Sequence, residues 1–344
     1  MRLGLVIGYW NSGGPPADVP EQLRTAESLG FDSAWTAEAY GSDAFTPLAW
    51  WGAATERIRL GTGVTQLSAR TPASTAMTAI TLDHLSGGRL ILGLGVSGPQ
   101  VVEGWYGRPY GKPLARTREY VEILRRVFRR EEVDFQGEHY QMPLLEDRGG
   151  TGLGKPLKSI VKPLRDDIPI HLGAEGPKNV ALAAEIADGW LPIFFSPKSD
   201  GYYRAALAEG FGRPGARRTP DDFEVSCVVP AIVGDDVEAC ADLLRPMYAL
   251  YIGGMGARDA NFHFDVFSRL GYDEACHKIQ DAYLDGRKGD AIAAVPTALV
   301  EDVALIGPKE KVLDDLEAWR ATVITTMLVS GPPALLEDIA ALVG

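Results

Sequence analysis

The chain has 344 residues, of which 46 % are hydrophobic, and its 46 acids against 34 bases give a formal charge of −12. The apolar share suits a sizeable core and excludes a disordered or fibrous chain, while the charge argues against a surface built for nucleic-acid phosphate. Cys227, Cys240 and Cys276 stand far apart and no apolar run reaches the ~20 residues of a membrane span, so a protein of a reducing, cytoplasmic compartment is expected, without a disulfide framework or thiolate zinc cluster.

Apolar runs of strand length alternate with amphipathic stretches of helix length. Residues 3–9 read as the first strand, and the helix from Asp18 to Leu29 follows, with Asp18 as N-cap and Gly30 as the stop. SAWTAE from Ser33 is strand two, Leu48 to Thr55 a short helix, and RIRLGTGV (57–64) strand three. A helix from Pro72 to Leu85 ends at Gly87-Gly88 before RLILGLG (89–95), the fully apolar fourth strand. Pro113 to Arg130 places Tyr120, Ile123, Leu124 and Val127 on one helical stripe.

Residues 133–142 form a small hairpin, and 146–167 show no periodicity. The pattern resumes with IPIHLGA (168–174), a helix from Pro177, GWLPIFF (189–195), a helix near 199–209 and the strand 223–233. Asp235 caps a helix to about Tyr251, a helical insertion follows, Lys309 to Ala321 is the last main helix, 322–329 the last strand and 333–343 a closing helix. Strands each followed by a helix predict an α/β fold, a (β/α)8 TIM barrel in one domain, with insertions at about 133–167 and 254–296.

GLGVSG (93–98) satisfies G-x-G-x-x-G, but it ends the fourth strand, Pro99 follows and no helix is expected there, so a dinucleotide fingerprint is set aside in favour of a close backbone approach. GAEGPKN (173–179) is a Gly-rich turn opening a helix at Pro177, either an anion site or an ordinary βα turn. No histidine spacing suits a metal. His171 on strand five is weighed as an acid/base against a hydrogen-bonded core or solvated side chain. Glu38 stands at the catalytic end of strand two, as a general acid/base, a ligand acceptor or a structural acid. Trp10, Trp35, Tyr40, Trp105 and Tyr106 suggest an aromatic-walled slot, or simply the aromatics any large barrel buries. Arg148, Lys155, Lys158, Lys162 and Arg165 occur without an intervening acid, as a positive lid over the mouth or a solvated loop.

The segments LGTGV, SGGRLILGLG and GPKN…ADGW, spread through a match from residue 1 to the last strand, resemble the bacterial-luciferase-like superfamily. Within it the similarity is to the actinobacterial branch of oxidoreductases that use the deazaflavin coenzyme F420. The resemblance implies a ring bound at the C-terminal mouth of the barrel, with Thr62 leading into a non-proline cis peptide at Gly63–Val64 that backs it. Glu38 would contact the ring, Gly95, Val96 and Ser97 would approach its other side, and Ala174, Glu175 and Gly176 would line the phosphate turn, with Pro177, Lys178 and Asn179 opening the helix behind. Several relatives place His after the strand-two acid, where this chain has Ala39, so Glu38 or Tyr40 would protonate the substrate, or no protein group is needed. The implied activity is hydride transfer between F420 and a largely apolar small molecule, in a homodimer without metal. A reduced-FMN monooxygenase and a noncatalytic F420- or flavin-binding protein of the same fold are the alternatives.

Overall fold

The computed structural model describes residues 1–344 apart from Asn11, Asp259 and Gly344. Its centre is a closed ring of parallel strands: β1 (Arg2–Gly8), β2 (Ser33–Thr36), β3 (Arg59–Thr62), β4 (Leu90–Gly95), β5 (Ile170–Gly173), β6 (Gly189–Leu191), β7 (Glu224–Val228) and β8 (Thr326–Val329). β1 pairs with β2 and β8, and β3 pairs with β4 to complete the circle, which is the expected (β/α)8 TIM barrel. Every residue of β4 is buried, because a parallel strand is covered by helices outside and side chains inside; this is why LILGLG reads as a continuous apolar run.

Apolar burial falls into three clusters. The largest fills the shell between strands and helices; Leu5, Leu23, Leu60, Phe128 and Trp190 belong to it. Inside the barrel Trp35, Ile91, Leu191 and Leu328 pack with Val6, Val64 and Val228. A third cluster joins Phe194 to the helices after β7, among them α8 (Val237–Gly253), α9 (Phe262–Phe267), α10 (Asp273–Leu284), α11 (Lys288–Ala293) and α12 (Thr297–Val303). The insertion from 254 therefore has an apolar core of its own, seated on the barrel through β6's extension.

Several boundaries differ from expectation for local reasons. α1 (Val19–Ser28) starts after Asp18, whose carboxylate accepts from the Gln22 side chain instead of capping the helix. α2 (Phe45–Gly52) begins three residues before Leu48 because Asp43 Oδ1 accepts from the Phe45 and Thr46 amides. α3 (Pro72–Leu85) agrees with the prediction, its terminus capped by Thr71. A short helix, α4 (Pro99–Gly104), does open at Pro99, so the dinucleotide reading fails on the barrel topology and not on the lack of a helix. The run 223–233 breaks at Pro230, and Ala231–Val233 pairs with Leu305–Gly307 outside the barrel. Asp236, not Asp235, caps α8, accepting from the Glu238 and Ala239 amides.

The largest correction concerns the basic stretch. After α5 (Pro113–Phe128) and the hairpin Phe135–Met142, the chain descends the outside of the barrel. The Lys162 carbonyl lies 2.9 Å from His84 Nε2 near the end of α3, Arg130 binds the Ser159 carbonyl beyond α5, and Arg165 pairs with Asp83 and the first residue of β4. These contacts put residues 157–165 at the N-terminal end of the strands, opposite the mouth, so the segment is no positive lid.

Candidate active site

The geometry at the C-terminal mouth begins with the chain after β3. The Gly63–Val64 peptide is cis, as the resemblance implied. Gly63 N–H donates to the Thr36 carbonyl at 2.6 Å, and the Val64 carbonyl accepts from Glu38 N–H at 3.2 Å, so β2 holds the bulge from both sides. Beneath it Thr62, wholly buried, bonds through Oγ1 to both the Gly93 carbonyl and the Gly93 amide, at 2.8 and 2.9 Å.

This bulge explains the glycines of GLGVSG. A Cβ on Gly93 would lie 1.7 Å from the Thr62 carbonyl oxygen, and one on Gly95 2.5 Å from a Val64 methyl. The close approach inferred from the sequence is thus made by the neighbouring strand. Val64, also in contact range of Gly173, is presented as a flat apolar floor.

Glu38 ties three elements together. Oε1 accepts from Thr65 Oγ1, the Gln66 amide and Arg70, each at 2.8 Å, and Oε2 from the Ala44 amide and Arg70 at 3.1 and 3.0 Å. The carboxylate is buried, with Arg70 alongside. It borders the cavity, yet its acceptor sites are taken up by the protein.

A cavity of about 400 Å³ opens above this floor. Of the residues expected at the site it is lined by Glu38, Gly63, Val64, Gly95, Val96, Ser97, Ala174, Glu175, Gly176 and Asn179. Thr62 lies behind the wall, Pro177 and Lys178 lie in the first turn of α6 (Pro177–Ile186) outside the lining, and Tyr40 stands exposed at the rim. Gly176 is the N-cap residue of α6 and no side chain caps that terminus. Ser97 adopts φ 59°, a left-handed conformation uncommon outside glycine, at the turn into α4.

The aromatic lining differs from the expected set. Trp35 lines the cavity, but Trp10 packs edge-on against Trp51 at 5.5 Å, Trp105 is exposed, and Tyr106 donates to the Ala39 carbonyl. The walls are instead Tyr9, Tyr110, Tyr251 and Phe262. Burial, together with the Tyr40 hydroxyl nearby, raises the Tyr9 phenol above its ordinary value, against a lowering hydrogen bond with Tyr251. His171 is no part of the site. It is fully buried under Trp35, neither ring nitrogen has a hydrogen-bond partner among the described residues, and burial pulls its pKa down to about 4.

The residues that sequence reading missed come from the insertion and the inner barrel. Met255, Phe262 and His263 close the cavity from above, and Gln66 and Ser226 face it with a buried oxygen each that has no hydrogen-bond partner among the described residues. His263 Nδ1 lies 2.9 Å from Glu175 Oε1. No spacing in the sequence links Glu175 to His263; only the alternation of inward residues on β7 could have suggested Ser226.

A parallel barrel whose strand ends and one insertion enclose an apolar slot with a few convergent polar groups is the layout of a barrel enzyme for a small organic ligand. The family model described as luciferase-like monooxygenase matches residues 1–326, and the chain belongs to that family. A Mycobacterium tuberculosis protein provisionally named a coenzyme F420-dependent oxidoreductase is 55 % identical over 345 residues, covering 100 % of this chain and 99 % of that protein. The 5,10-methylenetetrahydromethanopterin reductase of Archaeoglobus fulgidus is 27 % identical over 311 residues, covering 90 % and 88 %. In fold, the coenzyme F420-dependent tetrahydromethanopterin reductase of Methanopyrus kandleri superposes with a TM-score of 0.80 at 24 % identity, covering 98 % of this chain and 97 % of that one. Among the described residues no helix is long and apolar enough to cross a membrane.

Proposed function

We propose that the chain is an F420-dependent oxidoreductase that exchanges a hydride with a largely apolar organic substrate in the cavity above Val64. The observation that carries this reading is the floor itself: Val64 stands against Gly95 and Gly173, under a cavity of about 400 Å³ walled by tyrosines. The named activity of the 55 % identical relative supports it.

The deazaflavin, when bound, supplies or accepts the hydride; the protein supplies position and a dry site. Val64, Gly95, Val96 and Ser97 meet the ring system. Gln66 Oε1, buried and without a partner among the described residues, fits an N–H on the edge of such a ring. The backbone of Ala174–Gly176, with Pro177, Lys178 and Asn179 opening α6, receives the phosphodiester, because a helix N-terminus without a side-chain cap presents free N–H groups to an anion. Glu38 acts as an anchor of the wall, and Tyr40 stands at the rim where substrate enters.

A reduced-FMN monooxygenase is the second reading, favoured by the family model's own description. An oxygen electrode separates the two. The proposal expects no oxygen uptake with reduced FMN and a substrate panel, and F420-linked turnover of at least one compound under nitrogen; FMN-dependent oxygen consumption coupled to product would replace it. The reading includes self-association in the cytoplasm, with exposed Trp50, Met77 and Leu85 as apolar groups for a partner copy to cover, and sedimentation equilibrium tests it.

A further inference from the structure

The cavity contains two carboxylates, and they are in opposite states. Glu38 is saturated by its own donors, as described above. Glu175, on the turn before α6, has one oxygen 2.9 Å from His263 Nδ1, and the other, Oε2, is buried with no hydrogen-bond partner among the described residues. Both side chains are about nine-tenths buried and both line the cavity. Leaving a buried carboxylate oxygen unpaired is costly, so its partner is expected to be a group on the ligand or the neighbouring imidazole itself.

His263 is held from three sides. Asn261 caps α9, accepting from the His263 amide, and Phe194, Tyr251 and Phe262 pack edge-on against the ring at 5.6, 4.9 and 4.8 Å. The ionisable groups that neighbouring elements bring to it are Glu175 and Tyr251, and through Tyr251 the hydroxyl of Tyr9. Arg269 and Glu175 both act on Tyr203 at the outer edge of this group. The Glu175 contact is within hydrogen-bond distance but out of line, a misalignment that rotation of the ring corrects and that is common in catalytic pairs before ligand binds.

We propose that Glu175 and His263 form the proton-exchanging dyad of this site, with His263 as the group that gives a proton to, or takes one from, an oxygen of the substrate. The dyad rests on the function proposed above and narrows its substrates to carbonyl compounds and the corresponding alcohols. In reduction the carbonyl carbon gains the hydride available from the reduced cofactor, the oxygen gains the imidazolium proton, and water returns a proton to the ring; oxidation runs each transfer backwards.

The test uses the full chain without cofactor first. His263 is identified among the five histidines by the ring signal missing from the His263→Gln spectrum, and its protonation is followed by NMR in wild type and Glu175→Gln. Removing the carboxylate is expected to shift the His263 ring signal, because the carboxylate oxygen lies 2.9 Å from Nδ1; an unchanged signal overturns the dyad. F420-linked reduction of ketones is then followed against pH. Wild type is expected to lose rate on the alkaline side as the ring deprotonates, and His263→Gln to lose that limb along with about 10²-fold or more in kcat. An alkaline limb retained in His263→Gln overturns the role of the imidazole. Should wild type fail to bind F420 in a fluorescence titration, the hydride reading falls, and the NMR comparison still decides whether the pair is coupled.

Discussion

Gly176 has φ −77° and ψ 148°, values open to any residue, and a Cβ added there meets nothing within 4 Å. An aspartate at this N-cap position should therefore fit and stabilise α6 by roughly a few tenths of a kcal/mol, since its carboxylate accepts from first-turn amides and glycine is itself a tolerable cap. The same negative charge opposes an anionic cofactor. Gly176→Asp is expected to raise the melting temperature and weaken F420 binding at once; unchanged affinity measured by fluorescence titration would remove the phosphate assignment. His171 makes a prediction of a different kind. Its pKa, pulled down by burial to about 4 from an ordinary 6.5, means the unfolded chain binds the proton that the folded one refuses. Stability should fall as pH drops from about 6.5 towards 4, by on the order of 3 kcal/mol from this group alone. Asp188 acts in a lower window. Burial raises its pKa, but Arg125, the Ile170 amide and Arg217 outweigh that and hold it at about 2, so its contribution is lost only below its ordinary 3.8. His171→Leu should flatten the upper window in a series of thermal melts; an unaltered slope would show that the ring titrates normally.

At the scale of elements, the end of β2, the bulge after β3 and the approach to α2 are joined by one carboxylate. Glu38→Gln leaves Arg70 with the more distant Asp43 carboxylate, 3.8 Å away, as its charge partner and replaces an acceptor oxygen by a donor facing other donors. A cost of about 2–3 kcal/mol is expected, below that of a wholly buried pair because Arg70 is 21 % exposed. Chemical denaturation should show this loss even without ligand; a variant as stable as wild type would return Glu38 to a purely chemical role. The strands, α3 and the glycine stop of α1 were legible because each depends on periodicity and on residues adjacent in sequence. Gly30 indeed takes φ 80°. Starts such as Asp43 for α2 were less legible, since Asp, Ser and Thr near a helix compete for the cap and the winner depends on backbone direction. The cis step at Gly63–Val64 came from resemblance alone; nothing in local propensity distinguishes that glycine from its neighbours.

For the whole molecule, the formal charge of −12 concealed where the cations are. The stretch Arg148–Arg165 was legible as basic but not as distant from the mouth, because a loop's destination is set by long-range contacts such as Arg165 with Asp83. Its lysines Lys155, Lys158 and Lys162 lie exposed along that descent. Reversing all three to Glu is expected to leave F420 affinity unchanged within about twofold at physiological salt, since such distances are screened beyond a Debye length of about 8 Å. A large, salt-sensitive loss in the titration would bring the segment back to the mouth. The site itself was about half legible. Strand ends on β2, β4 and β5 could be named from pattern and resemblance, whereas the roof residues Met255, Phe262 and His263 are joined to them only by the folding of the insertion. The proposed function requires that the floor around Val64 hold a deazaflavin. Titrating the purified chain with oxidised F420 and, separately, with FMN, while following ligand fluorescence, tests this. Saturable binding of F420 at least tenfold tighter than FMN, and weakened by Gly176→Asp, is expected; preferential binding of FMN, or no saturable binding of F420, would overturn the proposed function.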